Sequence, residues 1–294
     1  MNKKLISFII FVLFFINILN NVYSTNITWY YTYLDYRIPI TITERSGQNL
    51  TDYQIPITIN TASLISQGKM KPDCGDIRFT YLNTSDNKEY PISYWIESGC
   101  NTPNTIIWIK VPYIPANGNA TIYMYYGNPN ANNIGNKDNV FFLYDFYPNY
   151  PGWSDNRISL CGYQGMMGGY NIFGSSASTQ KTINLPPGTY NLSFIFVKGD
   201  SWNGECGQLY LNGNLVWSKC YDSPTGTQIC GDLSVDWNEL FDFNSVIFNH
   251  SGGSLTIRFT SDLDQYANNE WWGVDKIMIR KYTNPEPSVI IGDE

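Results

Sequence analysis

Histidine is almost missing: His250 is the only one in 294 residues. That removes most zinc sites built on imidazole and most histidine-based nucleophilic machinery. Ser251 follows His250 directly and defines no triad, and the run His250-Ser251-Gly252-Gly253 reads as a turn. Positive charge is also scarce, with 18 Lys and Arg against 25 Asp and Glu and a formal charge of −7. Without a basic patch to meet phosphates, nucleic acid is excluded as a partner. The Gly-rich run Gly162–Tyr170 lacks the Lys-Ser/Thr ending of a phosphate-binding loop. No carboxylate series has the twelve-residue spacing of an EF-hand. No helical period is long enough for an α/β fold, and no apolar run beyond Leu19 is long enough to span a bilayer.

The start of the chain reads as a secretory signal over residues 1–24. Lys3 and Lys4 precede the unbroken apolar run Phe8–Ile16, and Val22-Tyr23-Ser24 offers small-residue cleavage chemistry. Removing it takes the formal charge from −7 to −9. It also leaves about 270 residues, which suits two domains of ordinary size. Export agrees with six cysteines, two before residue 145 (Cys74, Cys100) and four after it (Cys161, Cys206, Cys220, Cys230). Cys74–Cys100 is the only pairing within the first half. The second half allows three pairings. Cys220–Cys230 would close the turn-rich loop 221–226, which favours Cys161–Cys206 beside it. Sequons at Asn26, Asn49, Asn83, Asn119, Asn191 and Asn249 are candidate glycosylation sites in an exported chain.

Period-two alternation fills the rest. Ile38, Ile40 and Ile42 share one face of a strand, as do Tyr53, Ile55, Ile57 and Ile59. Pro39 and Pro56 lie inside these runs and favour sheet edges or bulges. A short helical turn is expected within 62–70. The segment 139–146 reads as the last ordered element of the first half, and Tyr147–Gly152 as a short linker. Beyond it, 190–197 reads as a central strand, and Asn212-Gly213 as the turn of a hairpin. The expected fold is therefore all-β, with two tandem β-sandwich, jelly-roll-like domains at 25–146 and 147–294.

The series Tyr36-Arg37-Ile38-Pro39-Ile40, Asp76-Ile77-Arg78-Phe79, Tyr94-Trp95-Ile96-Glu97, Ile107-Trp108-Ile109-Lys110-Val111 and Tyr123–Asn128 resembles the DUF2341 family over roughly 30–142. That resemblance implies an exported or surface-associated setting, often beside lectin-like or adhesive modules, and supplies no mechanism. Residues 160–282 resemble galactose-binding-like jelly rolls. The resemblance rests on the Gly-Tyr loop, the Asp200-Ser201-Trp202-Asn203-Gly204-Glu205 turn, the hairpins, and Leu255–Phe259 ahead of Trp272-Gly273-Val274-Asp275. It implies sugar binding in some members and structural Ca²⁺ in others.

Two clusters of chemistry stand out. Asp200, Glu205, Asp262, Asp264, Glu270 and Asp275 are the best carboxylate set. Ca²⁺ takes six to eight oxygen ligands, so Asp200, Glu205 and Asp275, with Asp262 or Asp264 nearby, are the expected structural Ca²⁺ ligands, against which stands a group of solvated acidic turns whose hydrogen bonds anchor loops. Trp95, Trp202, Trp217, Trp271 and Trp272 are candidate carbohydrate platforms, of which a sugar module needs at least one in a shallow groove beside polar side chains. Asp76, Arg78 and Glu97 invite an enzymatic reading, against which stands a salt-bridge network fixing strand ends. No catalytic residue and no other cofactor is expected.

Three functions follow. The first is a non-enzymatic, structural or adhesive glycoprotein of the cell surface, partnered by surface proteins or glycans. The alternative is a carbohydrate-binding module acting on extracellular glycans, and a glycan hydrolase stands behind both. Exposed sheet edges leave a homo-oligomer or filament open. The stretch 25–33 would then either donate a strand or complete its own sheet.

Overall fold

The computed structural model describes residues 28–233 and 237–294. The expected leader at 1–24 and the sequon at Asn26 lie outside the described residues. The first half runs β1 (Tyr36–Thr43), β2 (Leu50–Ile59), α1 (Thr61–Ser66), β3 (Arg78–Asn83), β4 (Lys88–Pro91), β5 (Tyr94–Ser98), β6 (Thr105–Ile114), β7 (Asn119–Tyr126), α2 (Lys137–Val140) and β8 (Leu143–Asp145). The second half begins β9 (Ile158–Cys161), β10 (Gln164–Gly168), β11 (Ser178–Leu185), β12 (Gly188–Asp200) and β13 (Asn203–Leu211). It continues β14 (Asn214–Asp222), β15 (Leu240–His250), β16 (Gly253–Ser261), β17 (Glu270–Lys281) and β18 (Ser288–Ile291).

These strands build two antiparallel sandwiches. In the first, the sheet β18-β1-β7-β3-β4 faces β2-β6-β5. Ile38, Ile40 and Ile42 point inward from β1, and Tyr53, Ile55, Ile57 and Ile59 from β2, so the period-two faces form the core as the alternation requires. Pro56 lies on the edge strand β2, where its missing N–H removes no ladder bond. Pro39 does not sit on an edge. Its strand lies between β7 and β18, and Pro39 stands just past the β18 register, where its carbonyl accepts from Gly292. The helical turn α1 is capped by Asn60, whose side chain accepts from the Ser63 N–H at 3.0 Å.

In the second sandwich, β15-β12-β17-β10-β9 faces β11-β16-β13-β14, and β8 shares the edge of β17 with β10. β12 is central, paired on both sides over nearly its whole length. Its inward aromatics Phe194 and Phe196 pack with Trp202, Trp217, Tyr221 and Trp272. Asn212 and Gly213 both have positive φ (49° and 81°), the signature of a type I′ turn, and they join β13 to β14 as expected.

Three expectations fail for identifiable reasons. The segment 139–146 does not close the first half: β8 pairs with β17 of the second sandwich. Its two faces serve different cores, Leu143 packing with the second and Tyr144 with Trp108 of the first. A three-residue strand that is buried on both faces carries no sign of which sheet it joins. The tandem boundary is also crossed at the other end, since β18 returns to pair with β1. That strand fills the edge offered to the leading segment, which instead lays Trp29 and Tyr31 edge-on against Tyr125. The disulfides are Cys74–Cys100, Cys161–Cys230 and Cys206–Cys220. The expected Cys161–Cys206 and Cys220–Cys230 pairs are replaced because the β13–β14 hairpin sets Cys206 directly opposite Cys220.

Candidate functional site

The five candidate tryptophans separate sharply. Trp202, Trp271 and Trp272 are fully buried and serve as core. Trp202 donates its indole N–H to the Trp271 carbonyl at 3.0 Å, and Trp271 donates to Asp200 Oδ2 at 2.7 Å. Trp217 is half-buried on Phe194 and Phe196, with its N–H on Asn244 Oδ1 at 3.2 Å. Trp95 alone of the five lines a groove. That groove, of ≈ 390 Å³, lies along the seam between the sandwiches and is bordered by Trp95, Glu97, Ser98, Tyr144, Phe146 and Lys276.

Backbone irregularities build this groove from both sides. On β5 the pairing with β6 slips between Ile96 and Ser98, so Glu97 is an extra residue. On β17 the pairing with β12 slips so that Asp275 faces Ile195 while Met278 faces Ser193. Lys276 lies in that second bulge with φ 49°, a left-handed conformation costly for a residue with a Cβ. A bulge turns a side chain out of the regular alternation, and here two bulges from two sandwiches border one groove.

The walls are fixed by packing and hydrogen bonds. Trp95 meets Tyr144 edge-on at 5.3 Å, Phe141 at 6.2 Å, and Phe146 tilted at 5.9 Å. Glu97 accepts from the Trp108 indole at 2.8 Å and from the Tyr144 hydroxyl at 2.7 Å. Burial, and next the Glu97 carboxylate, push the Tyr144 pKa up, so this hydroxyl stays a donor. Across the seam, Lys281 N donates to Gln54 Oε1 at 2.8 Å and Arg280 lies 5.8 Å from the Trp108 ring centre.

The Asp76–Arg78–Glu97 network does not form. Asp76 accepts backbone N–H groups of Lys71, Gly127 and Asn128, and Arg78 donates to the carbonyls of Gly75, Ile77 and Asn132. Both anchor loops, each separately. Of the sequons, Asn49, Asn119 and Asn249 are exposed and Asn83 and Asn191 half-buried. The amide oxygen of Asn191 is buried without a partner, the opposite of the outward face its acceptance requires.

The carboxylate set divides as well. Asp200 faces Glu270 in the β12–β17 register, whereas Asp275 faces Ile195, five residues along β12. At about 3.3 Å per residue that puts Asp200 and Asp275 roughly 16 Å apart, too far for one ion. Asp275 instead holds the linker, accepting from Tyr147 N at 2.9 Å and Tyr150 OH at 2.6 Å. Asp200 is fully buried and accepts from Asp232 N and the Trp271 indole. Burial pushes its pKa up to about 6 against the pull of those bonds. Asp262 accepts from Cys206 N. Glu205, Asp264 and Glu270 do come together, each offering an oxygen within 4.8 Å of the others. The start of β13, bulged at Gly204-Glu205, brings Glu205 to this group.

Residues 73–154 match DUF2341, a domain of unknown function. The match begins later than the motif series that starts at Tyr36 and runs past the seam. No curated protein matches the chain. Among solved structures the chain is similar to dimeric latent PorU from Porphyromonas gingivalis, with 9% identity over 83% of this chain and 24% of that one and a TM-score of 0.27. It spans about a quarter of that protein. It is also similar to the CBM22-1–CBM22-2 tandem domain of Paenibacillus barcinonensis Xyn10C, with 8% identity, 84% and 78% coverage and a TM-score of 0.29. The tandem CBM51 modules of Sp3GH98 from Streptococcus pneumoniae give 10%, 83% and 88%, with a TM-score of 0.27.

Proposed function

We propose that this protein is an exported, non-enzymatic carbohydrate-binding protein that engages extracellular glycans through the groove at Trp95. The observation that carries the reading is a half-exposed indole set beside Ser98 and the exposed Lys276 in a groove whose two walls come from different sandwiches. A sugar offers C–H faces that pack on an aromatic ring and hydroxyls that need donors and acceptors. The three disulfides agree with an oxidising compartment.

Binding without hydrolysis is favoured by the carboxylates. A glycosidase needs two carboxyl groups flanking the bond, about 5–9.5 Å apart. Glu97 is the one carboxylate among the described residues bordering the groove, and each of its oxygens already accepts a hydrogen bond from the wall.

The test is a broad glycan array followed by titration calorimetry on the hit. Trp95→Ala should weaken binding at least about tenfold, as loss of an aromatic platform does in recognition sites. Because Trp95 also packs against the seam, Lys276→Ala on the exposed wall serves as a second variant and should weaken the same ligand without lowering stability. Absence of any ligand, or parental affinity retained in both variants, overturns the assignment.

A further inference from the structure

We infer that Glu205, Asp264 and Glu270 form a Ca²⁺ site in the second sandwich, separate from the glycan groove. Their oxygens lie within 4.8 Å of one another. Oxygens bound to one Ca²⁺ at about 2.3–2.6 Å are at most roughly 5 Å apart, so the three fit around one ion without rearrangement.

The independent observation is Glu270. It is fully buried, and neither of its carboxylate oxygens makes a hydrogen bond of normal geometry: of the two donor groups beside it, the Ser201 hydroxyl is given to the Asn269 carbonyl at 2.9 Å and the Gln265 main chain approaches without a well-formed bond. Burying a carboxylate unpaired costs several kcal/mol, and proteins ordinarily avoid it by pairing, protonation or metal coordination. No salt bridge among the described residues reaches Glu205, Asp264 or Glu270. Two carboxylates aimed at a buried third are mutually repulsive unless a cation lies between them.

The donor set selects the ion. It contains oxygen and no imidazole or thiolate, which suits a hard cation better than zinc or copper. Asp264 also lines an open cleft of ≈ 530 Å³ with Gln265, Asn268 and Asn269 on its walls. Amide and main-chain oxygens and water from that cleft would complete the six to eight ligands that Ca²⁺ takes in irregular geometry, whereas Mg²⁺ demands a near-ideal octahedron with bonds of about 2.0–2.1 Å. The ion would tie the β13 bulge to the entrance of β17, which are held by no shared ladder.

The experiment uses the full mature chain stripped with chelator. Calorimetric titration with CaCl₂ should give one site per chain, and saturating Ca²⁺ should raise the melting temperature by on the order of 5 °C. Glu270→Gln keeps the shape and removes the buried charge. It should melt no lower than the stripped parent, lose at least about tenfold in Ca²⁺ affinity, and lose the thermal shift. Asp264→Asn, at an exposed position, repeats the affinity test should the buried variant fold poorly. A parent that takes up no Ca²⁺, or variants that keep the full shift, would overturn the site. Failure here leaves the glycan array result unaffected.

Discussion

Replacing the disulfides pair by pair should cost stability in a set order. The cystines close loops of 69 residues (Cys161–Cys230), 26 residues (Cys74–Cys100) and 14 residues (Cys206–Cys220). A cross-link restricts the unfolded chain, and the restriction grows with the logarithm of the loop. The chain-entropy relation gives about 4.4, 3.5 and 3.0 kcal/mol at 25 °C for the three. Burial widens the gap. Cys161 is 1% exposed and packs with Met166, Val197 and Trp271, whereas Cys220 is exposed. The double variant C161A/C230A should therefore lose at least about 1.4 kcal/mol more than C206A/C220A, the difference of the two entropy values. Urea denaturation followed by tryptophan fluorescence reads this directly, because Trp202, Trp217, Trp271 and Trp272 all belong to the second sandwich. Non-reducing peptide mapping must first recover Cys206 joined to Cys220. A Cys161–Cys206 peptide, or a larger loss in C206A/C220A than in C161A/C230A, would refute the reasoning.

Two further outcomes follow. Removing residues 287–294 should uncover the edge of β1 and detach Glu294 from Tyr126 and Lys69. The first sandwich should then lose roughly 2–4 kcal/mol, and association should rise with concentration in light scattering. An unchanged urea midpoint would sink that expectation. Stability should also depend on alkaline pH through Lys198, which is fully buried with its ammonium on the carbonyls of Ser223 and Asn238. Burial lowers its pKa from 10.5 to about 8 against the pull of Glu239, Asp200 and Asp222. Between those values the unfolded chain binds the extra proton, so unfolding free energy rises with pH above 8, by up to about 3 kcal/mol. Burial raises Tyr31 and Tyr125 to about 12, which removes stability as pH climbs from 10 to 12. Denaturation midpoints should peak near pH 10, and Lys198→Met should flatten most of the rising limb, the remainder coming from Lys281, whose pKa burial also lowers. A flat or falling profile from pH 8 to 10 contradicts it.

Local structure was legible where one periodicity met one environment. The faces of β1 and β2, the Asn212-Gly213 turn and the central strand β12 all follow from alternation and turn chemistry. The Cys206–Cys220 pair was missed although its hairpin was recognised, because a two-residue Asn212-Gly213 turn sets Cys206 opposite Lys219 and only the register shift at Leu209–Tyr210 brings it opposite Cys220. What sequence could not convey was long-range partnering. Nothing in Leu143-Tyr144-Asp145 says that it joins β17, and nothing in Ser288–Ile291 says that it returns to β1. The carboxylate set shows the same limit. Asp200 and Asp275 look alike in sequence, yet register sends one to a buried indole and the other to the linker tyrosines. Glu270 was left out of the expected ligands, because sequence does not show that the first residue of β17 is buried opposite Asp200.

The groove depends on the two sandwiches holding one relative position, and the crossing of the chain supplies that. A tandem joined only by a linker would let Trp95 and Lys276 drift apart, since each belongs to a different sheet. Here β8 is bound to β17 on one face and to the Trp95–Trp108 cluster on the other. Asp275 pins the linker at Tyr147 and Tyr150, one residue before the bulge that carries Lys276. On the far side, Arg280 pairs with Glu286 at 2.7 Å, and the chain then enters β18 and the first sandwich. A ligand entering such a groove does not have to fix the orientation of two domains, so its contacts appear as affinity rather than being spent on ordering the protein. The strained backbone at Lys276 fits the same logic, because that cost is met once, during folding, by the strands that enclose it.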